Sequence, residues 1–180
     1  MFAAFRLPEL TRYPLWYDEV FSLTLAQQDW AELLRRAVAD RTNPPLFYAL
    51  LKAWIGIGGE SVAWMRLLPC LCGILVAVPL VALARRWLGD LPAAFAAGMA
   101  AAASPLAVFL ANELRGYSLL LLLATLSCLA FARLTDDRAG AGAAGPVPPL
   151  ALLVAVNVAL VYAHYFGWLV VGAEVGAAAF

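Results

Sequence analysis

Charge is scarce in this chain, and neither sign dominates. Only 13% of its 180 residues are charged, with Lys+Arg and Asp+Glu at 12 each. A nucleic-acid footprint needs a basic excess, so no nucleic-acid partner is expected. Cysteine is scarce too: Cys70, Cys72 and Cys128 all lie inside apolar runs. Cys70-Leu71-Cys72 lacks the second cysteine pair of a zinc site, and no disulfide framework is implied. These thiols read as small hydrophobes. His164 is the single histidine, which excludes a metal site built from histidines alone. A mixed His/carboxylate site for a divalent cation stays open, with Glu113 and His164 as its candidates. The start of the chain lacks the pattern of a signal peptide. Arg6, Pro8, Glu9, Arg12 and Pro14 interrupt residues 1–17, which are also too broken to span a membrane.

What the chain has in excess is apolar surface. Hydrophobic residues make up 64% of it, and the mean hydropathy is +0.84. Soluble domains average about 45–50% apolar and ~25% charged residues. A soluble core of this size could not hide so much apolar surface, so lipid is the expected solvent. The expected fold class is all-α: a polytopic transmembrane helical bundle.

Residues 20–39 read as one amphipathic helix. Leu23, Ala26, Trp30, Leu33, Leu34 and Ala37 form its apolar stripe, and Gln27, Gln28, Asp29, Glu32, Arg35 and Arg36 fill much of the remainder. Such a helix lies along the membrane interface. Asn43-Pro44-Pro45 then starts a second short helix over 46–57, which carries Lys52 and ends among Gly56, Gly58 and Gly59. Four stretches follow with the length to cross a bilayer: 62–83, 93–111, 117–134, and a block from 147 onward. The last is too long for one span of about 20 residues. A turn at 164–167 is its expected split. Gly172-x-x-x-Gly176 is a weak helix-packing pattern, and 140–149 is a Gly/Ala/Pro linker. The whole chain, 1–180, is therefore expected to be one membrane domain, with interfacial helices over 18–59 and transmembrane helices over 60–180.

Each crossing swaps sides. Arg85, Arg86, Arg133 and Arg138 fall on one side, cytoplasmic by the positive-inside rule; Arg35, Arg36, Arg41 and Lys52 oppose that orientation from the interfacial segment. Asp18, Glu19, Asn43, Glu113, Arg115 and His164 fall on the other. Taken singly, each has a bland reading. Asp18 suits a helix N-cap or a first-turn acid, Asn43 a cap, and Glu113, Arg115 and Tyr117 an interfacial belt. Taken together, they bring acid, amide, imidazole and guanidinium to one bilayer face, where ionisable groups mark sites. Asp18 could serve as a general base. Arg115 could grip a phosphate through its fork of donors, and Glu113 could position a hydroxyl or a divalent cation.

Five segments in order carry a resemblance: Leu15-Trp16-Tyr17-Asp18-Glu19-Val20-Phe21-Ser22-Leu23, Asn43-Pro44-Pro45-Leu46-Phe47-Tyr48, Arg66-Leu67-Leu68-Pro69, Ser104-Pro105 with Asn112-Glu113-Leu114-Arg115-Gly116-Tyr117, and Tyr162-Ala163-His164-Tyr165-Phe166-Gly167. From Leu15 onward the chain resembles the amino-terminal part of GT-C membrane glycosyltransferases, closest to glycosyltransferase family 39, the protein O-mannosyltransferase and aminoarabinose-transferase-like group. The resemblance implies an enzyme that takes a sugar from a polyprenyl-phosphate donor on the non-cytoplasmic side. It implies transfer with inversion to a hydroxyl acceptor on protein, lipid or glycan. Asp18 and Glu19 match the family's catalytic acidic motif, with Asp18 the base. Glu113 and Arg115 match its Gln-Glu-Ala-Arg-like motif, with Asn112 and Leu114 as departures. Arg115 is thereby assigned to donor phosphate, Glu113 to metal or acceptor, and Tyr117 and His164 to the same cavity. Asn43 stands where His is common, which weakens a donor or metal contact there.

The resemblance also implies a spanning helix ahead of the Asp-Glu motif and further spans after it. The chain is thus expected to be a piece of such an enzyme, inactive alone. Its expected home is a bacterial inner membrane, with the site facing the periplasm or exterior. Two other readings stay open. A transporter or flippase would carry ionisable residues at mid-membrane depth, where Glu174 is the exception to otherwise uncharged spans. A structural membrane protein would let the polar set diverge in space.

Overall fold

The computed structural model describes residues 10–11, 13–39, 43–138 and 148–179. Most of the expected linker at 140–149 and of the expected non-spanning segment at 1–17 lies outside these, as does Arg41. Among the described residues are ten α-helices and no strand: α1 Tyr17–Ala26, α2 Trp30–Ala39, α3 Leu46–Gly58, α4 Val62–Leu75, α5 Ala77–Leu88, α6 Leu91–Ala102, α7 Pro105–Asn112, α8 Tyr117–Arg138, α9 Pro149–Ala163 and α10 Gly167–Ala178. The chain is an all-α integral membrane protein.

The single amphipathic helix expected over 20–39 is two helices. Asp29 Oδ1 accepts the Glu32 amide at 2.8 Å and so starts α2 afresh. Lys52, reaching over from α3, closes the end of α1: its Nζ donates to the carbonyls of Ala26 at 3.3 Å and Gln28 at 2.5 Å. A cation satisfying the last carbonyls of a helix stabilises that terminus. The apolar stripe divides accordingly. Ala26, Leu33 and Ala37 are buried, whereas Trp30 and Leu34 stay about half exposed. Glu32 bonds both Arg35 and Arg36 on the outer face of α2.

The helix expected at 46–57 is α3. It starts on Pro45 with no side-chain cap, so Asn43 does not form the expected one. It stops at Gly59, whose φ of +83° glycine adopts without strain. Trp54 and Trp64 then lock α3 to α4. Their rings stack 4.4 Å apart, and each indole N–H donates to the other's carbonyl, at 2.8 and 2.9 Å.

Helices α4 and α5 read through as one 27-residue apolar span, Val62–Leu88, longer than the expected 62–83. Tyr117–Asp136 within α8 is a second span of 20 residues. The stretch expected to cross at 93–111 is instead a broken pair, α6 and α7, bent by 54°. Ser104 accepts the Ala107 amide and Pro105 opens α7, so backbone continuity is lost there. By length and composition two spans cross the membrane, or three if the bent pair counts as one. The fourth expected crossing, α9, has 15 residues, about 22 Å at 1.5 Å per residue. That is shorter than a hydrocarbon core of about 30 Å. The expected break at 164–167 is there, between α9 and α10.

Two devices pack the spans. Gly98 of α6 lies so close to α5 that an added Cβ would sit 2.6 Å from Val81 Cγ2 and 2.9 Å from its backbone nitrogen. Ser127 of α8, Asn157 of α9 and Glu174 of α10 form a buried knot. Ser127 Oγ lies 2.5 Å from Asn157 Oδ1 and 2.6 Å from Glu174 Oε1, and Asn157 Nδ2 donates to Glu174 Oε2 at 2.7 Å. Glu174 is therefore a helix-joining residue within the bundle. The main apolar core brings together Leu25, Leu33, Phe47, Leu51, Met65, Leu114 and Ala163, the last two from the α7–α8 turn and the end of α9.

Candidate active site

The site grows out of a sealed ion pair. Glu19, in the first turn of α1, is 1% exposed, and Arg66, one turn into α4, is 5% exposed. Arg66 Nε donates to Glu19 Oε1 at 2.8 Å and Nη2 to Oε2 at 2.5 Å. Its other donors go to the carbonyls of Leu10 at 2.9 Å, Tyr13 at 2.8 Å and Pro14 at 3.2 Å. A guanidinium has five N–H groups, and here each has an acceptor. The Glu19 carboxylate also receives the Leu114 amide at 2.8 Å and the Trp16 amide at 3.3 Å. One buried pair thus ties together the segment before α1, α1 itself, α4 and the α7–α8 turn. Buried charges persist where they are paired and fully bonded in this way.

Around that clamp lie groups with free capacity. Asp18 is the second residue of α1, not its N-cap, which is Trp16. Its side chain is 38% exposed, with Oδ2 3.9 Å from Arg115 Nη2. Arg115 Nη1 also donates to the Asp18 carbonyl at 3.4 Å. The Arg115 guanidinium lies 6.0 Å from the Tyr117 ring centroid, and Tyr117 is 5.7 Å from the His164 ring. Asp18, Arg115, Tyr117 and His164 therefore form a chain of contacts from α1 across the α7–α8 turn to the α9–α10 turn.

Burial sets the electrostatics. Glu113 is 9% exposed. Desolvation first, then the charges of Glu19 and Asp18, push its carboxyl above the usual range, against the pull of Arg115 and Arg66. His164 is held below its ordinary value by burial and by Arg115. Its Nδ1 accepts the Phe166 amide at 3.2 Å, which leaves the proton of the neutral ring on Nε2. Asn112 Oδ1 is buried beside them with no hydrogen-bond partner among the described residues.

Of the residues expected at the site, Asp18, Glu113, Arg115, Tyr117 and His164 gather at one end of the bundle, and Glu19 sits in the clamp beneath them. Asn43 lies one turn ahead of Phe47 and makes no hydrogen bond to Glu113, Arg115 or His164. Among the described residues no three His, Cys, Asp or Glu side chains form a metal-ligating group, so Glu113 and His164 lack a third ligand. Arg66 was missing from the expected site. Its sequence signal is an arginine one turn inside an apolar span, a position that demands a partner.

Helices of membrane length whose turns gather a carboxylate, a guanidinium and an imidazole at one end define a membrane protein with a surface-facing polar site. Residues 42–177, most of the chain, match the model of the dolichyl-phosphate-mannose-protein mannosyltransferase family, and the chain belongs to that family. The family is one of membrane glycosyltransferases that draw on a polyprenyl-phosphate sugar. The matched stretch contains Arg66, Glu113, Arg115, Tyr117 and His164, and leaves out Asp18 and Glu19. Searches of curated proteins and of solved structures returned no match.

Proposed function

We propose that this end of the bundle is the transfer site of the glycosyltransferase, facing the extracytoplasmic side. There a sugar passes from a polyprenyl-phosphate donor to a hydroxyl of a protein, lipid or glycan acceptor. Asp18, the most exposed carboxylate of the cluster, takes the proton from the acceptor hydroxyl. The freed oxygen attacks the anomeric carbon. The bond from that carbon to the phosphate oxygen breaks, and the sugar inverts. Arg115 meets the charge that gathers on the departing phosphate, a task its fork of donors suits. Glu113, beside Arg115, offers a hydrogen bond to acceptor or sugar. Tyr117, packed against His164, orients Arg115. Glu19 and Arg66 hold the assembly and do not touch the reacting atoms.

The observation that carries this reading is the approach of Asp18 and Arg115, 97 residues apart in sequence: Arg115 Nη1 donates to the Asp18 backbone carbonyl at 3.4 Å, and the carboxylate stands 3.9 Å from the guanidinium. A membrane protein without chemistry has no need to bring them together. A translocation path finds less support, because the buried charges on the apolar helices are already bonded, Arg66 to Glu19 and Glu174 to Ser127 and Asn157. The test is Asp18→Asn in the whole protein, assayed for sugar transfer at matched expression. Loss of transfer supports the assignment; turnover near the unmodified rate ends it.

A further inference from the structure

At the other end of the same helices lies a cleft that the transfer reaction does not use. It holds about 510 Å³ between α5, the start of α6 and the end of α8, within the range of about 300–1,000 Å³ common for ligand sites. Val78, Leu91 and Leu129 form its apolar wall, and Arg85, Arg86 and Arg133 line it with guanidinium groups. Helix α4 begins beside the Glu19–Arg66 clamp and α8 begins at Tyr117, so the far ends of both spans reach the opposite membrane face. Arg86 is already engaged: it pairs with Asp136 and donates to the Ala132 carbonyl at 3.2 Å. Asp90, the other nearby acid, caps α6 through the Ala93 amide at 2.8 Å. Among the described residues neither Arg85 nor Arg133 has an ion-pair partner, and both are exposed.

We infer that this cleft binds an anionic phospholipid of the leaflet it opens on. The Arg85 and Arg133 guanidinium groups, which have no ion-pair partner among the described residues, would hold the phosphate at headgroup height. The Val78–Leu91–Leu129 wall would take the first part of an acyl chain. A soluble anion would leave that wall in water, and a zwitterionic lipid would bring an ammonium group toward the arginines. Basic clefts between spans at a membrane face hold acidic headgroups by this combination. The inference depends on the membrane placement alone and stands apart from the transfer reaction.

The test is native mass spectrometry of the purified chain released from micelles doped equally with phosphatidylglycerol and phosphatidylcholine. The chain should retain phosphatidylglycerol about tenfold over phosphatidylcholine. The preference should vanish in R85Q/R133Q and persist in R35Q/R36Q, whose arginines are not among the residues lining this cleft. Equal retention of the two lipids, or a preference that survives R85Q/R133Q, overturns the inference. Displacement of phosphatidylglycerol by millimolar inorganic phosphate also overturns it and identifies a free-phosphate site. A second readout needs no arginine variant. Trp87, 77% exposed, adjoins Arg86, so brominated phosphatidylglycerol should quench the component of emission that Trp87→Phe removes, and brominated phosphatidylcholine should not. Equal quenching by both lipids counts against the site.

Discussion

Asp18 and Glu19 are neighbours in sequence, and each faces an arginine, yet the two pairs are built for different ends. Glu19 and Arg66 are sealed from solvent, and both oxygens and all five guanidinium N–H groups are bonded. Asp18 and Arg115 stand 3.9 Å apart, with more than a third of the Asp18 side chain open. A helix turns about 100° per residue, so consecutive acids point to different surroundings, one into the core and one along its rim. A saturated pair has no capacity left for a substrate. A loose, partly open pair does. The first therefore reads as framework and the second as chemistry.

The contrast can be broken by exchanging the defects. Asp18→Asn should lower sugar transfer in the whole protein by about 10²–10⁴-fold, the usual worth of a general base, while its melting temperature stays near that of the unmodified protein. Glu19→Gln should do the reverse. It leaves Arg66 buried without its counter-charge, at a cost of about 3–5 kcal/mol, read as lost thermal stability and lost folded yield in detergent. If Asp18→Asn unfolds the protein and Glu19→Gln does not, the roles are reversed. Gly98→Val, far from both pairs, should cost about 1–3 kcal/mol by overpacking α6 on α5 and leave the order of the other two effects unchanged.

A smaller effect lies in pH. His164 has its folded value below the ordinary one, so as pH falls through about 6.5 the unfolded chain takes up the proton first and stability drops. His164→Gln should flatten the melting temperature between pH 7.5 and 5.5 (both about one unit either side of that value). Glu113 has the opposite sign. Its raised value means that the fold favours the protonated acid, so its contribution weakens as pH climbs above about 4.3. Smallest of all is Glu32→Gln. Its carboxyl is held at about 2 by Arg35 and Arg36, but the trio sits in water, and the substitution should leave the melting temperature within error.

Much of this was legible in the sequence because membrane spans declare themselves by length and apolarity, and each span fixes a change of side. Counting four crossings put Asp18, Glu113, Arg115 and His164 at one face. Among the described residues, however, only two helices, or three with the bent pair, have the length to cross. It is the contacts from Asp18 through Arg115 and Tyr117 to His164 that bring the set together. The turn at His164 was legible from the excess length of the final block. What stayed hidden depends on partners far along the chain. Only half of the break in 20–39 is local, the Asp29 cap on the Glu32 amide; the other half is the Lys52 ammonium arriving from α3. The sequence puts Glu19 just ahead of a helix but does not say that Arg66, 47 residues on, will take both its oxygens. The 54° bend between α6 and α7 was within reach of the sequence, since Ser104-Pro105 carries its own cap and helix start. The hydropathy of 93–111 masked it.

Everything above depends on Asp18 and the α7–α8 turn lying across the membrane from Arg85 and Arg133. In a background with Cys70, Cys72 and Cys128 replaced by alanine, Tyr17→Cys and Trp87→Cys place a thiol at each end, at positions 84% and 77% exposed. In sealed vesicles a membrane-impermeant maleimide should label one of them from outside and reach the other only after permeabilisation. Labelling of both from the same side would contradict the arrangement of the spans and, with it, the site.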